Sequence, residues 1–165
     1  MPDNEFLLPD FILLTDHNND WDEYIEALYK AFTADFITTP PSYKGIRLRL
    51  KRHPVADGKE ATFWHMISTG EDENNRSYDE ERCKRIRWPN PIINNVDHEQ
   101  LRVWKTKRGS DDRILILFEE RRYLVVLTER RGYLLPWTAY YIERNHRLRK
   151  LIREHERYLQ TNIAQ

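Results

Sequence analysis

His65 is the histidine that sits inside an apolar run, Phe63-Trp64-His65-Met66-Ile67. An imidazole titrates near neutrality, so at such a place it is a candidate general acid or base. The alternative is a hydrogen-bonded core histidine. Thr138 and Tyr140 are two apart in an extended segment and therefore share a face. Beside Pro136 they could project into a cleft, although both residue types are also ordinary strand formers. Arg113 opens an apolar run and could reach that face.

Metal chemistry finds little support in the spacing. His17, His53, His65, His98, His146 and His155 are not paired with each other or with a cysteine at ligand distance, and Cys83 is alone. Glu71-Asp72-Glu73 could hold a hard cation, but a solvated loop is the simpler reading. No metal and no cofactor are expected. Phosphate-cradling glycine loops and a nucleophile elbow are missing too.

What stands out is a basic and aromatic stretch from Arg82 to Arg108. Arg82, Lys84, Arg85, Arg87, Arg102, Lys105, Lys107 and Arg108 face only Asp97 and Glu99, and Trp88 and Trp104 lie among them. Cationic side chains neutralise phosphates and indoles stack on splayed bases. Arg85, Arg87, Trp88, Trp104, Lys105, Lys107 and Arg108 are therefore candidate substrate contacts; tryptophans acting as core anchors are the competing explanation. Charge is unevenly spread. Formal net charge is zero, yet residues 1–40 carry nine acids and one base, leaving 26 bases against 18 acids in the rest. A basic body with an acidic leader suggests an anionic partner and an internal mimic of it; mixed charge kept for solubility is the alternative.

The elements that must position these residues suggest a single α+β domain. Its 165 residues can bury a genuine core, helped by 12% aromatic content. The single cysteine, an acidic N-terminus unlike a signal peptide and the lack of a long apolar run suggest a cytoplasmic protein with no membrane partner. Residues 1–18 read as an irregular acidic leader, and 19–36 as a helix capped by Asp20, with Glu23 three residues on as in a capping box. Residues 45–142 read as the sheet-bearing core. Ile46 to Arg52 alternates like a half-buried strand, and Ala61 to Ser68 reads as its hairpin partner. Asp79 caps a short helix, after which Pro89 and Pro91 are expected to stop regular structure. Three strands follow, over Arg113–Phe118, Tyr123–Thr128 and Tyr133–Tyr141, as an antiparallel meander covered on both faces. Pro136 makes the last an edge strand or marks a bulge. Residues 143–160 form a C-terminal helix with Leu148, Leu151, Ile152, His155, Tyr158 and Leu159 as its apolar stripe.

A leading helix, strands and a meander ending in Tyr133-Leu134-Leu135-Pro136-Trp137-Thr138-Ala139-Tyr140 resemble the barnase–EndoU–colicin–RelE-like nuclease superfamily, particularly its phage- and toxin-associated branches. The likeness covers roughly residues 45–142. It implies a metal-independent ribonuclease with His65, Arg113, Thr138 and Tyr140 at the site, supported by Lys105, Lys107 and Arg108. RNA is the implied substrate, and an antitoxin or inhibitor protein the implied partner. A 2′-hydroxyl would attack the adjacent phosphate, with His65 as base or acid and Arg113 and Arg108 stabilising charge. The alternatives are a non-catalytic nucleic-acid-binding module and a protein-interaction module of phage or mobile-element origin.

Overall fold

The computed structural model describes residues 6–70 and 76–163. The Glu71-Asp72-Glu73 triplet and the first acids of the leader lie outside them. The centre of the molecule is a four-stranded antiparallel meander. Numbered within the whole chain, its strands are β5 (Leu101–Arg108), β6 (Asp111–Phe118), β7 (Tyr123–Arg130) and β8 (Tyr133–Tyr141). Two two-residue turns join β5 to β6 and β7 to β8. Gly109 and Gly132 supply the positive φ these turns demand, at 62° and 79°. The three expected strands are all present. The fourth, β5, comes from the segment in which cations mask the alternation of Leu101, Val103 and the buried edge-facing residues.

Both faces of the sheet are covered. Ile114, Ile116 and Phe118 of β6 and Tyr123, Val125 and Leu127 of β7 point into a large core on one side. That core is closed by the helices α1 (Trp21–Phe32), α2 (Ala61–Ile67), α3 (Glu80–Lys84) and α4 (Pro89–Asn94). Leu115, Leu117, Leu124 and Val126 point to the opposite side, where α5 (Asn145–Ile163) lays Leu151 against them. This explains the near-continuous apolar runs of β6 and β7: each residue, odd or even, meets a helix layer.

Asp20 caps α1 by accepting from the backbone N–H groups of Asp22 and Glu23 at 2.9 and 3.3 Å. Glu23 does not return the favour; its carboxylate takes a hydrogen bond from Asn18 instead. The helix widens into a π-helical turn over Thr33–Thr38 before the Pro40-Pro41 pair. Three expectations fail. Ala61–Ile67 is α-helical, because its short run is apolar on nearly every side and so lacks the polar alternation that distinguishes strand from helix. Pairing of the Ile46–Arg52 segment is confined to Ile46–Arg47 (β2), which meets Ser42–Tyr43 (β1) in a two-residue hairpin. Ile46 is exposed, whereas Leu48 is buried. Pro89 and Pro91 begin α4 rather than preventing it, since proline is tolerated in the first helical turn where no N–H partner exists.

The edge expectation for β8 holds twice over. It is the last strand of the sheet, and the pairing with β7 slips between Val126 and Leu127, which meet Thr138 and Pro136. Trp137 is the extra residue of this bulge. The free edge is shielded by residues 48–51, whose Arg49 N–H donates to the Leu134 carbonyl at 2.9 Å. The short pair β3 (Ser68–Thr69) and β4 (Ser77–Tyr78) links α2 to α3. The leader packs on the α1–α4 side: Phe6 meets His98 and Phe118, and the Ile12 N–H donates to the Lys84 carbonyl. Among the described residues, no helix is long and apolar enough to cross a membrane.

Candidate nucleic-acid interface

Strand register decides which side chains meet on the α5 side. Trp104, Leu115, Val126 and Thr138 form one row across the four strands. Thr106, Arg113 and Thr128 form the next row outward across β5 to β7. Helix α5 covers the Trp104 end, with His155 packed 5.4 Å from the Trp104 ring. Beyond the helix the sheet is left open, and a recess of about 250 Å³ results. Leu115, Leu124 and Val126 make its apolar floor. Thr106, Arg108 and Arg113 stand on one side, and Trp137, Thr138, Tyr140 and Arg147 on the other.

Four sequence-derived candidates thus converge: Arg108, Arg113, Thr138 and Tyr140. The bulge matters here. By adding a residue to β8 it brings Trp137 to the recess wall beside Thr138. The Trp137 indole then gathers cations: the Arg113 guanidinium lies 4.7 Å from its ring centre, Lys51 Nζ 5.7 Å and Arg130 5.8 Å. Asp111 is the shared counter-charge of the two arginines, 3.4 Å from Arg113 and 3.8 Å from Arg130. Arg113 is nearly buried, and its Nε has no hydrogen-bond partner.

Arg82 stands behind Thr138 and Tyr140, outside the recess lining. Its Nη1 donates to Thr138 Oγ1 at 2.7 Å, and its guanidinium lies over the Tyr140 ring at 5.3 Å. Burial lowers its pKa from the ordinary arginine value, and Asp79 opposes that shift. Arg147 closes the opposite corner by donating from Nη2 to Tyr140 Oη at 3.0 Å. Three guanidinium groups, from Arg108, Arg113 and Arg147, line the recess, and among the described residues Asp111 is the carboxylate paired with them, through Arg113. The imbalance leaves a concentrated positive field in a partly enclosed space, which raises the local concentration of anions.

Other candidates fall elsewhere. His65 is 8% exposed, lies on α2 rather than on a strand and outside the recess lining, and meets the Trp137 ring edge-on at 5.4 Å. Lys105 and Lys107 point to the other side of β5, where Glu129 and Asp112 pair with them. Arg85 is buried among the rings of Phe11, Trp88 and Tyr141 and paired with Glu81. Arg87 is exposed and reaches Asp35, whose carboxyl is held above its usual range chiefly by burial. Trp88 is buried, stacks on Phe11 and donates from Nε1 to the Pro9 carbonyl. Trp104 is 1% exposed. Neither indole is free to stack on a base. The lone thiol of Cys83 is fully buried, and burial pushes its pKa up to about 12, so it is no nucleophile.

Arg82, Thr106, Trp137 and Arg147 escaped the sequence reading as site residues. Trp137 carried a signal, since a residue next to a strand proline is where a bulge is expected to re-aim side chains. Arg147 carried none, because its role depends on where α5 crosses the sheet. No family model, curated protein or solved structure matches this chain.

Proposed function

We propose that the protein binds RNA, and that the recess on the α5 side of the sheet receives a backbone phosphate. The observation that carries this reading is the convergence of Arg108, Arg113 and Arg147 around one open, apolar-floored hollow. Planar guanidiniums match phosphate oxygens two at a time. The aromatic rings serve a different purpose from base stacking. Tyr140 and Trp137 already carry Arg82 and Arg113 against them, so they hold the guanidinium planes in place before a ligand arrives.

A second reading, RNA cleavage without a metal, is favoured by the Tyr140–Arg147 hydrogen bond. Because Arg147 donates to Tyr140 Oη, the phenolic proton is turned away from Arg147 and is free to be given to a ligand oxygen. Tyr140 is also the one titratable group besides the arginines among the described residues lining the recess. In this reading the 2′-hydroxyl gives its proton to solvent as it attacks the adjacent phosphorus, the P–O2′ bond forming as the P–O5′ bond breaks. Arg108 and Arg113 balance the charge gathering on the phosphorane, and Tyr140 protonates the leaving 5′-oxygen and regains its proton from solvent. Tyr140 thus replaces His65 in the acid role. The likeness of the Tyr133–Tyr140 element to the barnase–EndoU–colicin–RelE-like superfamily agrees with it, and an antitoxin or inhibitor partner belongs to the same reading.

Incubation of labelled single-stranded RNA with the protein in EDTA tests both. Wild type is expected to bind at low salt and to leave 2′,3′-cyclic phosphate ends, while Tyr140→Phe binds but does not cut. Binding without cleavage by wild type would remove the second reading and leave the first. Failure of wild type to retain RNA at low salt would remove both.

A further inference from the structure

We infer that the outer stripe of α5 continues the recess as a track for a longer RNA strand, an extension that rests on the recess being a phosphate site. Helix α5 has two sides of opposite character. Leu151 and His155 are buried on the sheet, with Leu148, Ile152 and Tyr158 half-buried beside them. At 100° per residue the opposite side is centred on His146, Lys150, Arg153 and Arg157, with Arg149 alongside. All five are exposed. Glu154 and Glu156 fall to the two flanks, so the ridge of the helix is basic throughout.

Three observations separate this stripe from an ordinary solvated face. First, Arg149, Lys150, Arg153 and Arg157 form no ion pair with any described residue, although Glu154 stands four residues after Lys150 and three before Arg157. Opposite charges thus stand within reach at helical spacing without closing into pairs, while Arg149 and Arg153, and Arg153 and Arg157, repel each other at i, i+4. Second, Lys150, Arg153 and Arg157 line a shallow groove of about 430 Å³ together with Glu156 and Gln160. Third, the stripe starts at the recess. Arg147 walls the recess, and Lys150 and Arg153 follow it at three-residue steps up the helix. From His146 to Arg157 the track runs about 16 Å, enough to meet several successive phosphates.

An anionic membrane is the obvious rival for a basic helix. A surface-binding helix must insert its apolar side between lipids. In α5 that side is spent on the sheet, with Leu151 fully buried. An acidic protein would satisfy the charges but would not need the recess to which the stripe leads.

The test compares wild type with the variant carrying Arg149→Gln, Lys150→Gln, Arg153→Gln and Arg157→Gln. Glutamine is a good helix former, so the helix should persist; a milder Arg153→Gln, Arg157→Gln variant covers the case in which the quadruple one melts. Binding of a trinucleotide and of a twelve-nucleotide RNA is measured across salt concentrations. The longer RNA is expected to lose about tenfold or more in affinity. Its plot of log affinity against log salt should flatten by about 0.7 for each phosphate contact removed. The trinucleotide should bind as before. Unchanged affinity and slope for the longer RNA would overturn the track while leaving the recess standing, and so would equal weakening of both ligands. Competition by polyglutamate or phosphatidylserine vesicles as strong as that by RNA would overturn it as well. If Arg113→Met abolishes trinucleotide binding while the quadruple variant does not, the recess and its extension are resolved as separate contributions.

Discussion

The two faces of the central sheet are built from alternate residues of the same strands, yet they end differently. On the α1–α4 side the layer closes completely, with Phe32, Phe63, Ile116 and Val125 shut away from solvent. On the α5 side a single helix covers part of the sheet and leaves the Thr106–Arg113 end bare. Buried polar atoms without a hydrogen-bond partner occur on both sides: Trp104 Nε1, Arg113 Nε and Thr128 Oγ1 lie on the α5 side by strand parity, and Thr33 Oγ1, Arg82 Nε and Arg85 Nε belong to the helical elements of the other side. Such groups cost free energy and are rare in well-finished cores. The difference in coverage teaches a division of roles: the closed helical face specifies the fold, and the half-covered face carries the charges that a ligand would satisfy.

Substitution on each face is the most direct way to break that contrast. Phe63→Ala removes a ring packed against Tyr29, Phe32 and Trp64 on the closed side. It is expected to cost about 3–5 kcal/mol in urea unfolding. Arg113→Met on the open side should shift stability by less than about 1 kcal/mol. The carboxylate left behind, Asp111, is partly exposed and keeps Arg130 at 3.8 Å, so no buried charge is stranded. The same variant should lose RNA affinity about tenfold or more, which is about 1.4 kcal/mol or more. Comparable stability losses for the two would show that the open face is ordinary core.

The same contrast explains what was legible in the sequence. The meander could be read because β6, β7 and β8 are runs of Ile, Leu, Val and aromatic residues at even spacing with glycine turns. Strand parity alone then put Thr138 and Tyr140 on one face, and that held. Helix α2 could not be read, because the Ala61–Ile67 segment is buried on almost every side. His65 was misplaced as a direct consequence. Arg113 was found because it opens the apolar run of β6, whereas Arg82 and Arg147 arrive from α3 and α5. Only packing brings those two within reach of Tyr140. Trp88 and Trp104 show the limit of composition: cationic neighbours in sequence say nothing of whether an indole is buried.

A matched pair of helix caps sharpens the comparison at smaller scale. Asp20 caps α1 on the closed side, and Asp79 caps α3 by accepting from the Arg82 N–H at 3.2 Å. Either aspartate replaced by alanine should cost about 1 kcal/mol. Their consequences for binding should diverge. Asp79 also lies 3.6 Å from Arg82 Nε, and Arg82 holds Thr138 on the recess wall. Asp79→Ala should therefore weaken RNA binding measurably, and Asp20→Ala should leave it alone. Equal binding by the two variants at matched stability would detach Arg82 from the recess.

The smallest effect concerns His155, the buried titratable group under α5. Its imidazole pKa is held below the ordinary value, first by burial and then by the Arg102 guanidinium. Arg102 Nη1 lies 3.2 Å from His155 Nδ1, so Nδ1 accepts and the ring stays neutral. A depressed histidine pKa means that the unfolded chain takes up the proton first as pH falls. This contribution is thus neutral above the unfolded pKa of about 6.5 and increasingly destabilising below it. His155→Gln abolishes that linkage. The stability difference between wild type and His155→Gln should be constant above neutrality. It should move steadily in favour of the variant as pH drops from 7 toward 5, read from urea midpoints at each pH. Phe63→Ala removes no titratable group, so it should shift the whole pH profile without changing its slope. Parallel profiles for wild type and His155→Gln would mean that the helix opens enough at low pH to hydrate the ring, and the contrast between the two faces would then extend to α5 itself.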